Sequence, residues 1–308
     1  MSFLGGAAQD YLAVRRALGY KLQRAGRLLP DLVAHVEDAG SEVLTAELAL
    51  AWARQPTDVS PNWWSERLGV ARGFARYLHT LDPRTEVLPG SLWPQSGRRA
   101  APYMYSADDI QALIEAAREL PVPLCAANCS TLIGLLAATG MRVGEVIGLD
   151  LGDIDWEHQL LRVRGAKFNK ARQVPLHPTT VQALSVYVQA RDRHARRPGN
   201  PSFLVSAAGT RLIYNVVHRQ FFKLVDQVGL RHPVPGRRPR LHDLRHTFAV
   251  RTLEAWYADG GDVQARLPLL STYLGHVNPA NTYWYLSAAP QLLASAVGRL
   301  EGAWELLS

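Results

Sequence analysis

Cysteine is almost absent from this 308-residue chain, which has only Cys125 and Cys129. Four residues apart in an apolar run, they fit one face of a helix and cannot build a disulfide framework, so a reduced, cytoplasmic setting is expected. Long apolar runs are missing too. The longest, near residues 132–139, is far too short to cross a bilayer. The opening MSFLGGAAQDYLAVRR lacks the charged and then apolar regions of a signal peptide, so no membrane association or secretion is expected. Lysine is scarce as well, with Lys21, Lys167, Lys170 and Lys223 alone. A content of 47% hydrophobic and 20% charged residues excludes wholesale disorder. The length suggests two domains at a prior of about 150 residues each.

What is abundant is arginine. Lysine and arginine total 34 against 27 acids, for a net charge of +7 and a pI near 9.6. The positive charge is thus almost entirely guanidinium, whose planar fork grips phosphate through two hydrogen bonds. A polyanionic partner follows, with nucleic acid first among the choices and a nucleoid-associated location in the cytoplasm. An arginine-biased genome would leave the same composition, so the motifs must decide.

Periodicity divides the chain. Residues 1–85 form a helical unit: apolar residues recur at helical spacing over 11–18 and 28–36, Thr45 caps a short helix through Trp52, and Ser60 with Pro61 opens a long one. That last helix runs to about Leu81 and buries Trp63, Trp64, Leu68, Ala71, Phe74, Ala75 and Leu78, while Arg67, Arg72 and Arg76 fall away from the stripe. Residues 86–104 are rich in proline and lack periodicity, which marks a linker. A second domain, 105–308, starts at Ser106 with Asp108 and Asp109 in the first turn. Helical patterns cover 125–138, ending near Gly140, and then 142–149, 179–191, 214–228, 243–257, 263–274 and 291–307. Two β-type runs, 160–163 and 173–176, flank a basic turn and predict a hairpin. The expected class is mainly α with a small β-hairpin or sheet (α+β).

Four segments hold residue types suited to a phosphodiester: TGMRVGEVIGL with Arg142 and Glu145, GAKFNKARQVPL with Lys167, LHDLRH with His242 and Arg245, and LGHVNPANTYWYL with His276 and Tyr285. Phosphoryl transfer to a side-chain hydroxyl places charge on the non-bridging oxygens and needs a nucleophile in line with the leaving oxygen, which in turn needs a proton. Arg142, beside a Thr-Gly helix break, and Arg245 can clamp the two oxygens. Glu145, three residues on, can orient or neutralise Arg142. His242 and Arg245 share one helix face. His246 lies on the same side and reads as a packing residue. An ammonium can protonate a leaving oxygen where a guanidinium cannot, which makes Lys167 or Lys170 the candidate acid. Tyr273, Tyr283 and Tyr285 each carry a hydroxyl. HDLRH also has the outline of a zinc helix, but an Asp stands in place of the Glu, a cation sits within the motif, and no cysteine pair offers further ligands.

In order and spacing the four segments resemble the tyrosine recombinases, the phage integrase family, from about Tyr105 to Leu286. The helical first domain resembles that family's core-binding domain. The resemblance implies that Tyr285, nine residues after His276, attacks the scissile phosphate of double-stranded DNA to form a 3′-phosphotyrosyl link. It assigns His242 to proton transfer from the nucleophile and Lys167 to the catalytic position in the hairpin. No cofactor and no metal are implied. It also implies a homotetramer on DNA, with an apolar C-terminal helix (Leu293, Val297, Leu300, Trp304 and Leu307) docking into a neighbouring copy. The fragments LGYKL and STYLGHVNPANTYWYL are most similar to recombinases of mobile elements, acting in integration, excision or transposition. Two other activities share these residues: a type IB topoisomerase-like relaxation of supercoils, and a non-catalytic DNA-binding derivative. The basic stretches 191–199 and 229–240 are expected to follow the DNA backbone.

Overall fold

Small polar residues open the helices of the first hundred residues. Ser2 accepts the Gly5 N–H (3.0 Å) at the start of α1, Phe3–Ala17, and Thr45 accepts the Leu48 N–H (3.2 Å) at the start of α3, Ala46–Arg54. Between them runs α2, Gln23–Asp38, and Pro61 occupies the first turn of α4, Pro61–Leu81. The computed structural model describes residues 2–90, 101–164, 171–195, 200–276 and 278–288. The chain divides into two compact units, 1–100 and 101–308.

The core of the first unit gathers Leu29, Leu32, Val36, Trp52, Leu68, Phe74 and Leu78. One residue departs from the sequence reading. Arg67 is buried, with its guanidinium 3.8 Å over the Trp52 ring, donating to the Trp52 carbonyl (2.9 Å) and to Asp31 (3.1 Å). The cause is packing on two sides: α4 meets both α2 and α3, so its inward face is wider than a single apolar stripe. Arg76 is exposed and Arg72 half-buried.

In the second unit a capping box starts α5, Ala107–Arg118: Ser106 accepts the Asp109 N–H (2.9 Å) and Asp109 accepts the Ser106 N–H (2.8 Å). The apolar helix α6, Pro123–Thr139, is packed by α5 and by α8, Pro178–His194. A short α7, Val143–Gly148, leads into an antiparallel sheet of β1 (Ile154–Asp155), β2 (Leu160–Val163) and β3 (Arg172–Pro175), in that order. Leu161 pairs with Val174, and both are fully buried. The two longer strands are those of the expected hairpin, whereas the two-residue β1 is too short to leave a periodic signal. Residues 165–170, with Lys167 and Lys170, lie outside the described residues.

The rest is helical: α9 (Tyr214–Gln227), α10 (Leu241–Ala258), α11 (Val263–Leu274) and α12 (Ala280–Ala288). Val250, Leu253, Leu267, Leu270, Leu274 and Tyr285 knit α10, α11 and α12 into a core of their own. The apolar tail 291–307 lies outside the described residues. Among the basic stretches Arg191 departs from expectation, whereas Arg238 and Arg240 are about half-exposed. Arg191 is fully buried and donates to the carbonyls of Ser202 (3.3 Å) and Asn200 (2.6 Å). Arg238 pairs with Asp226 (2.5 Å) and covers the Phe222 ring, and Arg240 pairs with Asp243 (2.7 Å). These side chains are engaged in holding loops.

Arg191 offers a direct check. Arg191→Ala should lower the free energy of unfolding by about 3 kcal/mol, because two carbonyls and Asp192 lose a buried partner. Urea titration measures it. A loss below about 0.5 kcal/mol, the range of an ordinary surface change, would contradict the buried role.

Candidate active site

Two glycine turns shape the site. Helix α6 stops at Gly140, whose φ of +60° is left-handed and whose Cα leaves no room for a Cβ, since that atom would fall 2.4 Å from Phe248 Cδ1. Arg142 then caps α7. Glu145, in the first turn of α7, reaches back so that Oε2 accepts the Arg142 N–H (2.8 Å) and Oε1 accepts Arg142 Nη1 (2.8 Å). Helix α11 ends the same way at Gly275, with φ of +66°.

The end of α11 is where the arginines meet. Arg245, on α10, donates Nη2 to the Leu274 carbonyl (2.6 Å) and Nη1 to the Gly140 carbonyl (2.8 Å). Arg142 donates Nη2 to the Gly275 carbonyl (3.0 Å). Arg172, on β3, donates Nε to the Tyr273 carbonyl (2.8 Å) and forks onto both oxygens of Glu145 (3.0 and 2.8 Å). Three successive carbonyls thus accept from three guanidiniums. The negative end of a helix dipole favours cations at this position.

Tyr285 lies against this cluster. Its ring stacks on that of His276 at 6.0 Å between centroids, and His276 Nδ1 is 2.7 Å from the Thr282 hydroxyl. The His246 ring sits edge-on to Tyr285 (5.4 Å), Trp284 (5.1 Å) and His242 (4.9 Å). Tyr285 is 2% and Arg245 1% exposed, whereas 37% of the Arg142 side chain is open. Tyr283, on the same helix, is 49% exposed and points to solvent. Three remote segments therefore bring Arg142, Glu145, Arg245, His276 and Tyr285 together, with His242 beside them.

A sequence model of the phage integrase family matches residues 104–291. The chain belongs to that family, the tyrosine recombinases. It is 44% identical over 311 residues to y4rB of Sinorhizobium fredii, named as an integrase/recombinase, covering 99% of each chain. It is 30% identical over 310 residues to the tyrosine recombinase XerD of Mycobacterium leprae, covering 92% of each. Among solved structures, the Tn1549 transposon integrase in complex with transposon right end DNA has a TM-score of 0.65 at 17% identity, covering 96% of this chain and 99% of that one. At that identity the likeness is one of fold.

Two residues at the candidate site were not legible as site residues. Arg172 stands two positions before the buried Val174 on a strand and therefore shares its inward face. A charge on that face demands a carboxylate, and period-two alternation is the signal that points to it. His246 read as packing and does pack, but it packs on His242 and Tyr285.

Electrostatics follow from the geometry. Burial alone would raise the Glu145 pKa, yet the Arg172 hydrogen bonds, the Arg142 N–H and the charges of both arginines bring it down to about 2. Burial, and then the charge of Arg142, pull Arg245 down to about 10, so it stays protonated at neutral pH. His242 is lowered to about 4, first by protein atoms crowding out water and then by Arg245, although the ring keeps an open edge. Both causes favour the neutral imidazole. Among the described residues, no group of three or more His, Cys, Asp or Glu is placed to hold a metal ion.

The His242 shift has a definite sign. An unfolded histidine titrates near 6.5, so between that pH and about 4 the folded recombinase binds fewer protons at this ring. Whatever stability this ring contributes is complete above pH 6.5 and declines as the pH falls towards 4. Following the His242 ring resonances by NMR should give a midpoint well below 6.5. A midpoint at or above that value would show that Arg245 does not act on the imidazole.

Proposed function

We propose that this chain is a site-specific recombinase of a mobile element, which cuts and rejoins double-stranded DNA through a 3′-phosphotyrosyl intermediate. The observation that carries the reading is the convergence of Arg142 and Arg245 on the end of α11, next to His276, on which Tyr285 stacks. The similarity to y4rB, named as an integrase/recombinase, supports the mobile-element role.

In the proposed reaction the Tyr285 oxygen attacks phosphorus and the bond to the 5′-oxygen breaks. The phenol proton passes to His242, and Lys167 protonates the departing oxygen. One phosphodiester replaces another, so the step is reversible, and a 5′-hydroxyl from a second strand restores the DNA. Arg142 and Arg245 carry the charge on the non-bridging oxygens, work that a metal ion does in other nucleases. Because Tyr285 and Arg245 are covered, DNA reaches them only when the groups around α12 shift. Four copies assemble on the duplex as a tetramer in the nucleoid.

The decisive test is a covalent adduct. Wild-type protein, incubated with duplexes from the DNA flanking its gene and then denatured, should retain DNA on Tyr285. Tyr285→Phe should bind DNA but retain none, while Tyr283→Phe should behave as wild type. An adduct mapped to Tyr283 would overturn the assignment, and supercoil relaxation without strand joining would place the chain with topoisomerases.

Lys167 has its own check. Sulfur at the leaving position needs little protonation, so a 5′-thio substrate should restore cleavage to Lys167→Ala and not to Arg245→Ala. Rescue confined to Lys170→Ala would move the acid by three residues.

A further inference from the structure

We infer that Arg172 is a positioning residue: it takes up the charge of Glu145 and thereby leaves the Arg142 guanidinium to an incoming phosphate oxygen. The inference rests on the phosphate-clamping reading of Arg142 proposed above.

Glu145 is one carboxylate between two guanidiniums, and the two do not share it equally. Arg172 forks onto both oxygens, the stronger geometry, while the Arg142 side chain meets only Oε1, through a single nitrogen. Exposure divides them in the same way. The side chains of Arg172 and Glu145 are 12% and 10% exposed, an enclosed pair, against 37% for Arg142. Arg172 is also fixed from behind by the Tyr273 carbonyl and packs so tightly under Gly275 that a Cβ there would fall 2.8 Å from its Nη1. It cannot swing towards DNA.

Without Arg172, Glu145 would be an unbalanced anion beside the phosphate clamp. Both its oxygens would turn to Arg142, the nearest remaining cation, and compete with any phosphate there. A second role is available on geometry alone: through Glu145 and Tyr273, Arg172 ties β3 to α7 and α11. The two roles part company when the charge of Glu145 is removed together with that of Arg172.

The probe is inorganic sulfate, measured by its effect on melting against chloride at matched ionic strength, in the full-length protein. Wild type should bind sulfate, and Arg142→Ala should not. Arg172→Met should bind it about tenfold more weakly, about 1.4 kcal/mol. Arg172→Met combined with Glu145→Gln should return to within about threefold of wild type, since the pair is removed as a unit. If Arg172→Met does not fold, Arg172→Lys decides: lysine keeps the charge but cannot span Glu145 and Tyr273 together, so sulfate binding should be nearly normal. A double variant no better than Arg172→Met, a folded Arg172→Lys that has lost sulfate, or a wild type without Arg142-dependent sulfate binding each overturns the inference. Recovery in the double variant from a protein that forms no DNA adduct would refute the recombination mechanism and leave this charge partition standing.

Discussion

The carbonyls of Tyr273, Leu274 and Gly275, at the end of α11, each hold one guanidinium, from Arg172, Arg245 and Arg142. A helix terminus leaves its last carbonyls without intrahelical partners, and something must satisfy them. Here the partners come from β3, α10 and the start of α7, segments far apart in the chain. One helix end thus sets the relative positions of four elements. Tyr285 is included because α12 follows α11 after the short turn beginning at Gly275, where a left-handed φ of +66° turns the chain back. The distance from the arginines to Tyr285 is in this sense a property of a single turn.

Gly140 extends the constraint one step back. Its carbonyl is the other acceptor of Arg245, and its bare Cα lies against Phe248, on the same helix as that arginine. Side chains of α10 therefore pack directly on the backbone of the α6–α7 break, which places Arg142 beside Arg245. The closeness has an electrostatic cost that adds to that of burial, and together they lower Arg245 to about 10. Backbone dipoles on two sides and the Glu145 carboxylate offset it.

Much of this was readable before the fold was known. Ser60 with Pro61, the box of Ser106 and Asp109, and the glycines at 140 and 275 are local signals, complete within a few residues, and they mark helix ends in the structure. The runs 160–163 and 173–176, which fall on β2 and, one residue late, on β3, likewise carried their alternation in plain view. What periodicity could not reach were charges neutralised from afar. Arg67 finds Asp31 across 36 residues, Arg172 finds Glu145 across 27, and Arg191 takes loop carbonyls that no pattern announces. Each looks like a surface cation until its partner is placed in space. The segments holding Arg142, Arg245, His276 and Tyr285 stood out for the opposite reason, as several reactive residue types crowded into short motifs.

The choice of carbonyls over carboxylates as anchors has a chemical consequence. A guanidinium held by a carboxylate is oriented and neutralised together, whereas one held by a carbonyl is oriented and keeps its full charge. Among the described residues of the cluster at the end of α11, Glu145 supplies the negative charge, and it hydrogen-bonds Arg142 and Arg172, not Arg245. The site thus carries a surplus of oriented positive charge, available to an anion once the groups covering Arg245 and Tyr285 shift. The same surplus acts on His242. Beyond the effect of burial, Arg245, Arg240 and Arg142 all oppose protonation of its ring, so the arrangement that attracts a phosphate also favours an imidazole empty of a proton at pH 7. Clamping the phosphate and keeping the neighbouring imidazole neutral are two results of one placement of charge.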